Sequence, residues 1–266
     1  MCHDHCAHPI RGGAPLTEFT VEIPLLDSGS LPTFVALPDA IDNAAGAPAI
    51  LLIHDINGPN DFYRDLARRL ASEGYITALP DLFFRQGPKP ETRELLRTRM
   101  AQMSQTDTLA DIRSALFWLR HHKASSGKVG TIGFCMGGTL VMLAASRHPL
   151  PEASVIFYGF PYRERTPMAP IMAGDDAEAA GVESPLLGFW GDGDAGVGMD
   201  NVGKYDTLLS RYGKDHEFVI YPGVGHGFLT FDPDAVAYDA SQQAWSRALS
   251  FLSDRLGRAS AARASS

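Results

Sequence analysis

The sequence predicts an α/β protein with one mostly parallel central sheet, an antiparallel N-terminal edge and helices on both faces. Three observations carry this reading. Apolar runs and stretches of helical period alternate along most of the chain, the pattern of a parallel sheet covered on both sides. PAILLIH (48–54) is continuously apolar, as expected of a strand buried on both faces. The first two strand patterns, EFTVEI (18–23) and PTFVALP (32–38), are joined by a DSGS turn at 27–30, so they read as an antiparallel edge.

The remaining elements follow in order. Asn60 is placed to cap a helix running to about Ser72, with Phe62, Tyr63, Leu66 and Leu70 at helical spacing. Gly74 ends it, and YITALP (75–80) is the next strand. Residues 91–104 read as a charged helix. Asp107 starts another, with Leu109, Ile112, Leu116 and Leu119 inward. Met100, Met103 and Trp118 read as packing or capping residues. KVGTIGF (128–134) is a strand and 136–147 a helix; ASVIFYG (153–159) and PLLGFWG (185–191) are strands. VGKYDTLLSRYG (202–213) is a helix, HEFVIYP (216–222) the last strand, and a final helix covers about 234–256. The expected organisation is a loose His/Cys-rich tail (1–16), one domain (17–256) and a loose C-terminal tail (257–266).

Composition narrows the function. The chain has 266 residues, 45% hydrophobic, with a net charge of −8 and no basic stripe. That argues against a nucleic-acid partner or an anionic membrane surface. No apolar run reaches the ~18 residues of a membrane span, and MCHDHCAHPI lacks the charged and apolar regions of a secretory signal. Three cysteines, two of them in the tail, make no disulfide framework. A reducing cytoplasm, and a monomer or small homo-oligomer, are the expectations.

The stretch TIGFCMGGTL (131–140) holds Cys135 between glycines at the end of a strand pattern and the start of a helix pattern. That is the strand–turn–helix context of a nucleophile elbow, in which a tight turn lifts the nucleophile clear of the sheet. Gly133 and Gly137 would leave room for neighbouring backbone, and the Met136 N–H would face a developing oxyanion. A helix N-terminus also favours a thiolate. The competing reading is a buried core cysteine in a glycine-rich turn.

An elbow predicts an order: nucleophile, acid, histidine. DGDAG, after PLLGFWG, offers Asp192 and Asp194, and GVGHGF, after the last strand, offers His226. Asp194 is the better acid, because Asp192 adjoins the strand end and reads as a turn former. It would hold the His226 tautomer and stabilise its cation. The loop HDINGPN (54–60) is where the second oxyanion donor is expected, with the Ile56 N–H as the candidate. Asp55 beside it could modulate a thiol or form a turn. Tyr158, at a strand end, is a candidate substrate contact.

HDINGPN, YITALPDLFFRQG (75–87), GKVGTIGFCMGG (127–138), GDGDAG (191–196) and YPGVGHGF (221–228) together make the chain resemble the dienelactone hydrolase (carboxymethylenebutenolidase) family of the α/β-hydrolase fold, over roughly 17–256. The resemblance implies hydrolysis of an enol-lactone by a Cys-His-Asp triad, without metal or other cofactor. It makes Cys135 the nucleophile, Asp194 the acid and His226 the base. Asp55 falls where the family has a glutamate that interacts with the thiol, and Asp is one methylene shorter. Arg85 falls where the family has an arginine that binds the substrate carboxylate; its competing reading is a surface salt-bridging residue. Thr230 stands where a second such arginine would be.

The expected activity is therefore cleavage of an enol-lactone or related activated ester through a thioester. A general carboxylesterase or thioesterase is the alternative. From a different class, the tail ligands Cys2, His3, Asp4, His5, Cys6 and His8 raise metal binding.

Overall fold

The structure, a computed structural model, describes residues 3, 8–10, 16–41, 45–162, 170, 171 and 173–257. The N-terminal edge is a hairpin, β1 (Leu16–Pro24) and β2 (Ser30–Pro38), in antiparallel register from Leu16↔Pro38 to Pro24↔Ser30. The other strands are β3 (Ala47–Ile53), β4 (Ile76–Pro80), β5 (Ser125–Phe134), β6 (Ala153–Phe157), β7 (Leu186–Gly191) and β8 (His216–Tyr221). They form one sheet in the order β1-β2-β4-β3-β5-β6-β7-β8. Strand β2 pairs antiparallel with both its neighbours, and every other pairing is parallel. The expected architecture is the observed one.

The central strands are apolar because both faces are covered. Val129 to Phe134, all of β6 and all of β7 are buried. Above and below lie α1 (Asp61–Ser72), α2 (Arg93–Ala101), α3 (Gln105–His121), α4 (Met136–Ala144), α5 (Asp176–Gly181), α6 (Met199–Arg211) and α7 (Tyr238–Leu256). Asn60 caps α1 as expected, its side chain accepting from the Phe62 and Tyr63 N–H groups. The α3 start differs. Ser104 is the cap and accepts from Asp107 N, so the helix opens at Gln105 and Asp107 lies in its first turn. The last helix opens at Tyr238, four residues past the expected start, since 232–237 turn on the Asp232 side chain, which accepts from Asp234 N. The short α5 has too few residues to leave a periodic signature and was not anticipated; Asp175 caps it.

The order places the C-terminal ends of β3, β5, β6, β7 and β8 side by side. The loops that carry Asp55, Cys135, Tyr158, Asp194 and His226 all leave from these ends. That is the edge at which ligands bind in open α/β sheets.

Candidate active site

Cys135 is the residue between β5 and α4. It is buried, with φ 56° and ψ −116°. A non-glycine residue at positive φ is uncommon, and such strain costs of order 1–3 kcal/mol, typically at functional positions. The turn is held by Cys135 N donating to Phe157 O at 3.0 Å and by Thr139 N donating to Cys135 O at 3.2 Å. The flanking glycines are required by contact. A Cβ on Gly133 would lie 2.2 Å from Gly137 O, and one on Gly137 would lie 2.3 Å from Ile53 O. The α4 N-terminus therefore sits directly on the end of β3. Met136 is the first residue of α4, so its N–H has no acceptor within the helix.

Asp194 and His226 are brought together from the ends of β7 and β8. His226 Nδ1 and Asp194 Oδ2 are 2.6 Å apart. Asp194 is buried, and its other oxygen accepts from the backbone of Gly196 and Val197, each at 3.1 Å. With those donors fixed, the carboxylate points one oxygen at the imidazole. Such a bond sets the ring orientation and favours a proton on Nδ1. Asp192 does what a turn former does: its side chain accepts from Gly223 N at 2.7 Å. The preference for Asp194 thus has a geometric basis that spacing alone lacked.

The β3 loop is organised by Asp55, which is fully buried. One oxygen accepts from Asn57 N at 2.7 Å, an Asx turn. The other accepts from the backbone N–H of His3 at 2.9 Å. Ile56, between them, is half-buried. Asn57 was not singled out in the sequence, though the D-x-N spacing is an Asx-turn signal. His54, one residue back, is buried: its Nδ1 lies 2.7 Å from Asp55 O, and Nε2 accepts from Leu82 N at 3.1 Å. Burial lowers its pKa, and a ring that must accept at Nε2 is neutral.

Tyr158 follows β6 and is fully buried at φ 41°. Its ring meets His226 edge-on at 5.1 Å and lies 6.0 Å from the Phe134 ring. Its hydroxyl is 2.7 Å from His3 Nε2. Tyr158 therefore links the strand end bearing Cys135 to the imidazole.

Arg85 makes the contacts of its salt-bridging reading. Its guanidinium bonds both oxygens of Asp111 on α3 and, at 2.9 Å, Asp27 in the β1–β2 turn. It also lies 4.3 Å above the Phe84 ring. Asp111 is nearly buried, and burial pushes its pKa up against the pull of Arg85. The arginine raised as a substrate-carboxylate ligand is paired here with a buried aspartate. Phe83 and Trp190 are fully buried, Trp190 donating to Gly159 O at 2.8 Å. Met103 is buried, and Met100 and Trp118 pack against the core.

No group of three or more His, Cys, Asp or Glu side chains suited to a metal occurs among the described residues. Most of the tail cluster raised for metal binding lies outside them. Its described members, His3 and His8, are engaged with Asp55, Tyr158, Arg69 and Asp232. No described helix is long and apolar enough to cross a membrane.

An eight-stranded sheet of this order, with an acid and a histidine meeting after its last two strands and a strained residue between β5 and α4, defines an α/β-hydrolase. A sequence profile of the dienelactone hydrolase family matches residues 31–256, and the chain belongs to that family, which makes it a hydrolytic enzyme. Among its relatives, a Yersinia pestis protein named "Putative carboxymethylenebutenolidase" is 28% identical over 225 residues, 84% of this chain and 83% of the relative. A Bradyrhizobium protein named "Probable 2-oxo-3-(5-oxofuran-2-ylidene)propanoate lactonase" is 31% identical over 208 residues, 77% of this chain and 83% of the relative. The crystal structure titled "Putative Dienelactone Hydrolase from Klebsiella pneumoniae subsp. pneumoniae MGH 78578" superposes with a TM-score of 0.81 at 26% identity, covering 90% of this chain and 99% of that one.

Proposed function

We propose that this protein hydrolyses an enol-lactone or a related activated ester, with Cys135 as nucleophile, His226 as base and Asp194 as the acid that orients it. The observation that carries the reading is the 2.6 Å Asp194–His226 contact on the same sheet edge as Cys135, itself held at positive φ. The Bradyrhizobium relative, named a lactonase for a furanone, supports a ring ester as substrate.

In this reading the Cys135 thiolate attacks the carbonyl carbon, and the carbonyl electron pair moves to oxygen. The Met136 and Ile56 N–H groups stabilise that oxyanion. Collapse breaks the C–O bond, and the departing enolate takes a proton from the His226 imidazolium. With a lactone, the enol stays tethered to the acyl group. His226 then takes a proton from water as it attacks the thioester, and the thiolate leaves with the acid product free. Asp194 stabilises the imidazolium in both steps. An enolate is a good leaving group, which suits a thiolate nucleophile.

A second reading, a carboxylesterase or thioesterase on neutral substrates, is favoured by one observation: Arg85 is occupied by Asp111 and Asp27. The deciding experiment follows the near-UV absorbance of cis- and trans-dienelactone with wild type and Cys135→Ala, beside p-nitrophenyl esters. Lactone turnover lost in Cys135→Ala supports the first reading, and Cys135-dependent cleavage of esters alone supports the second. If neither substrate is turned over, both readings fail.

A further inference from the structure

His3 lies against the site. The His3 backbone N–H donates to Asp55 Oδ2 at 2.9 Å, and its carbonyl accepts from Asn60 Nδ2 at 2.7 Å. Its ring stacks on Phe62, centroids 3.7 Å apart and planes 4° from parallel, with Nε2 at 2.7 Å from the Tyr158 hydroxyl. Further along, His8 O accepts from Arg69 at 2.7 Å, His8 Nε2 lies 3.4 Å from Asp232, and Ile10 N donates to Asp65 at 2.6 Å. These anchors run along α1 and reach the loop that follows His226. They fix His3, His8 and Ile10 against the domain.

His3 therefore stands among the groups the proposed chemistry uses. Asp55 precedes the expected oxyanion donor Ile56, Tyr158 packs on His226, and the Phe134 ring, 6.5 Å from the His3 ring, immediately precedes Cys135. The backbone bond to Asp55 at 2.9 Å and the ring contact to Tyr158 at 2.7 Å hold the His3 ring against Tyr158, on the side of the site where Tyr158 meets His226. An acyl chain extending from the Cys135 end of β5 past Tyr158 would meet this ring.

We infer that His3 is a specificity-determining residue of this site, a wall that confines the acyl portion of the substrate to small or compact ring esters. The inference rests on the proposed thiol-hydrolase reading. It also accounts for why a histidine at the far N-terminus, remote in sequence from every element of the site, is held by both its backbone and its ring.

The test uses the full chain with His3→Ala and His3→Phe. Both keep the backbone N–H to Asp55, and Phe keeps the ring volume and the stack on Phe62. The first readout is kcat/KM for p-nitrophenyl octanoate relative to p-nitrophenyl acetate. His3→Ala is expected to raise that ratio about tenfold or more, through KM, because pocket complementarity to added methylenes is worth factors of this size. His3→Phe is expected to keep the wild-type ratio. The second readout is the alkylation rate of Cys135, resolved from Cys2 and Cys6 by peptide mass spectrometry, with iodoacetamide and with N-phenylmaleimide. His3→Ala should speed the bulky reagent selectively. An unchanged octanoate-to-acetate ratio with unchanged reagent selectivity in His3→Ala overturns the inference, as does loss of the wild-type ratio in His3→Phe. The alkylation arm needs no turnover, so it decides the role of His3 even if the hydrolase reading fails on its own substrates.

Discussion

Replacing Gly137 with alanine tests the backbone contact on which the elbow rests. The new Cβ would lie 2.3 Å from Ile53 O and 2.5 Å from His54 O. Both are main-chain atoms at the end of β3, so no side chain can swing aside. Reaching even the 3.0 Å floor of real Cβ contacts requires a displacement of about 0.7 Å, from 3.0 − 2.3. That displacement separates the α4 N-terminus, with the Met136 N–H, from the β3 loop, with the Ile56 N–H. Overpacking of this kind costs about 1–3 kcal/mol. In a chain of this size each kcal/mol moves Tm by about 2–4 °C, so the expected fall is about 2–12 °C. Misplacement approaching 1 Å can cost about 10²-fold in rate, so kcat should fall by a comparable factor. Gly203→Ala is the control. It lies in α6, exposed, with nothing within 4 Å of the added Cβ, and should gain about 0.5–1 kcal/mol from helix entropy. Calorimetric melts and ester turnover on the three proteins read both signs of the same substitution. A Gly137→Ala protein with wild-type Tm and kcat would refute the claim that main-chain contact demands glycine there.

Further predictions follow from single contacts. Asp194→Asn removes the carboxylate that orients His226 and should lower kcat by about 10²–10⁴-fold, whereas Asp192→Asn should leave kcat within about threefold, its role being the turn at Gly223; equal losses would reassign the acid. His54 carries a burial-lowered pKa, so on acidification below about 6.5 the unfolded chain takes up a proton that the folded ring refuses, and stability falls with pH in that window. Urea melts from pH 8 to pH 5 measure the loss, and an imidazolium at His54 in the folded protein at pH 6, seen by NMR, would contradict it. Arg85→Met strips Asp111, whose side chain is 4% exposed, of its counter-charge, and should cost about 3–5 kcal/mol, largely recovered in Arg85→Met/Asp111→Leu. The same double variant should keep its KM for a carboxylate-bearing lactone, and a large rise would restore Arg85 to the substrate.

Patterning by itself determined the sheet and the order of the site. Short apolar runs bounded by turn signals, such as PAILLIH, read as strands covered on both faces, and glycine around Cys135 signals a turn tighter than a side chain permits. These are local signals, carried by neighbours in the chain. The same holds for Asn60 as a cap and for the strand ends that precede Asp194 and His226. What only the tertiary structure decided depends on groups far apart in sequence. Arg85 reads as a substrate ligand or a salt-bridging residue, and nothing near it in sequence reveals Asp111, 26 residues away, losing its hydration and needing a cation. The turn-forming place of Asp192 already favours Asp194 as the acid in the sequence, and the folded chain adds the contact of the Asp194 carboxylate with the imidazole. His3 reads as part of a metal-ligand cluster from composition, and its place against Asp55 and Tyr158 is a contact between residues more than fifty positions apart. Burial and long-range pairing set the roles of such groups, and neither is encoded in the spacing of adjacent residues.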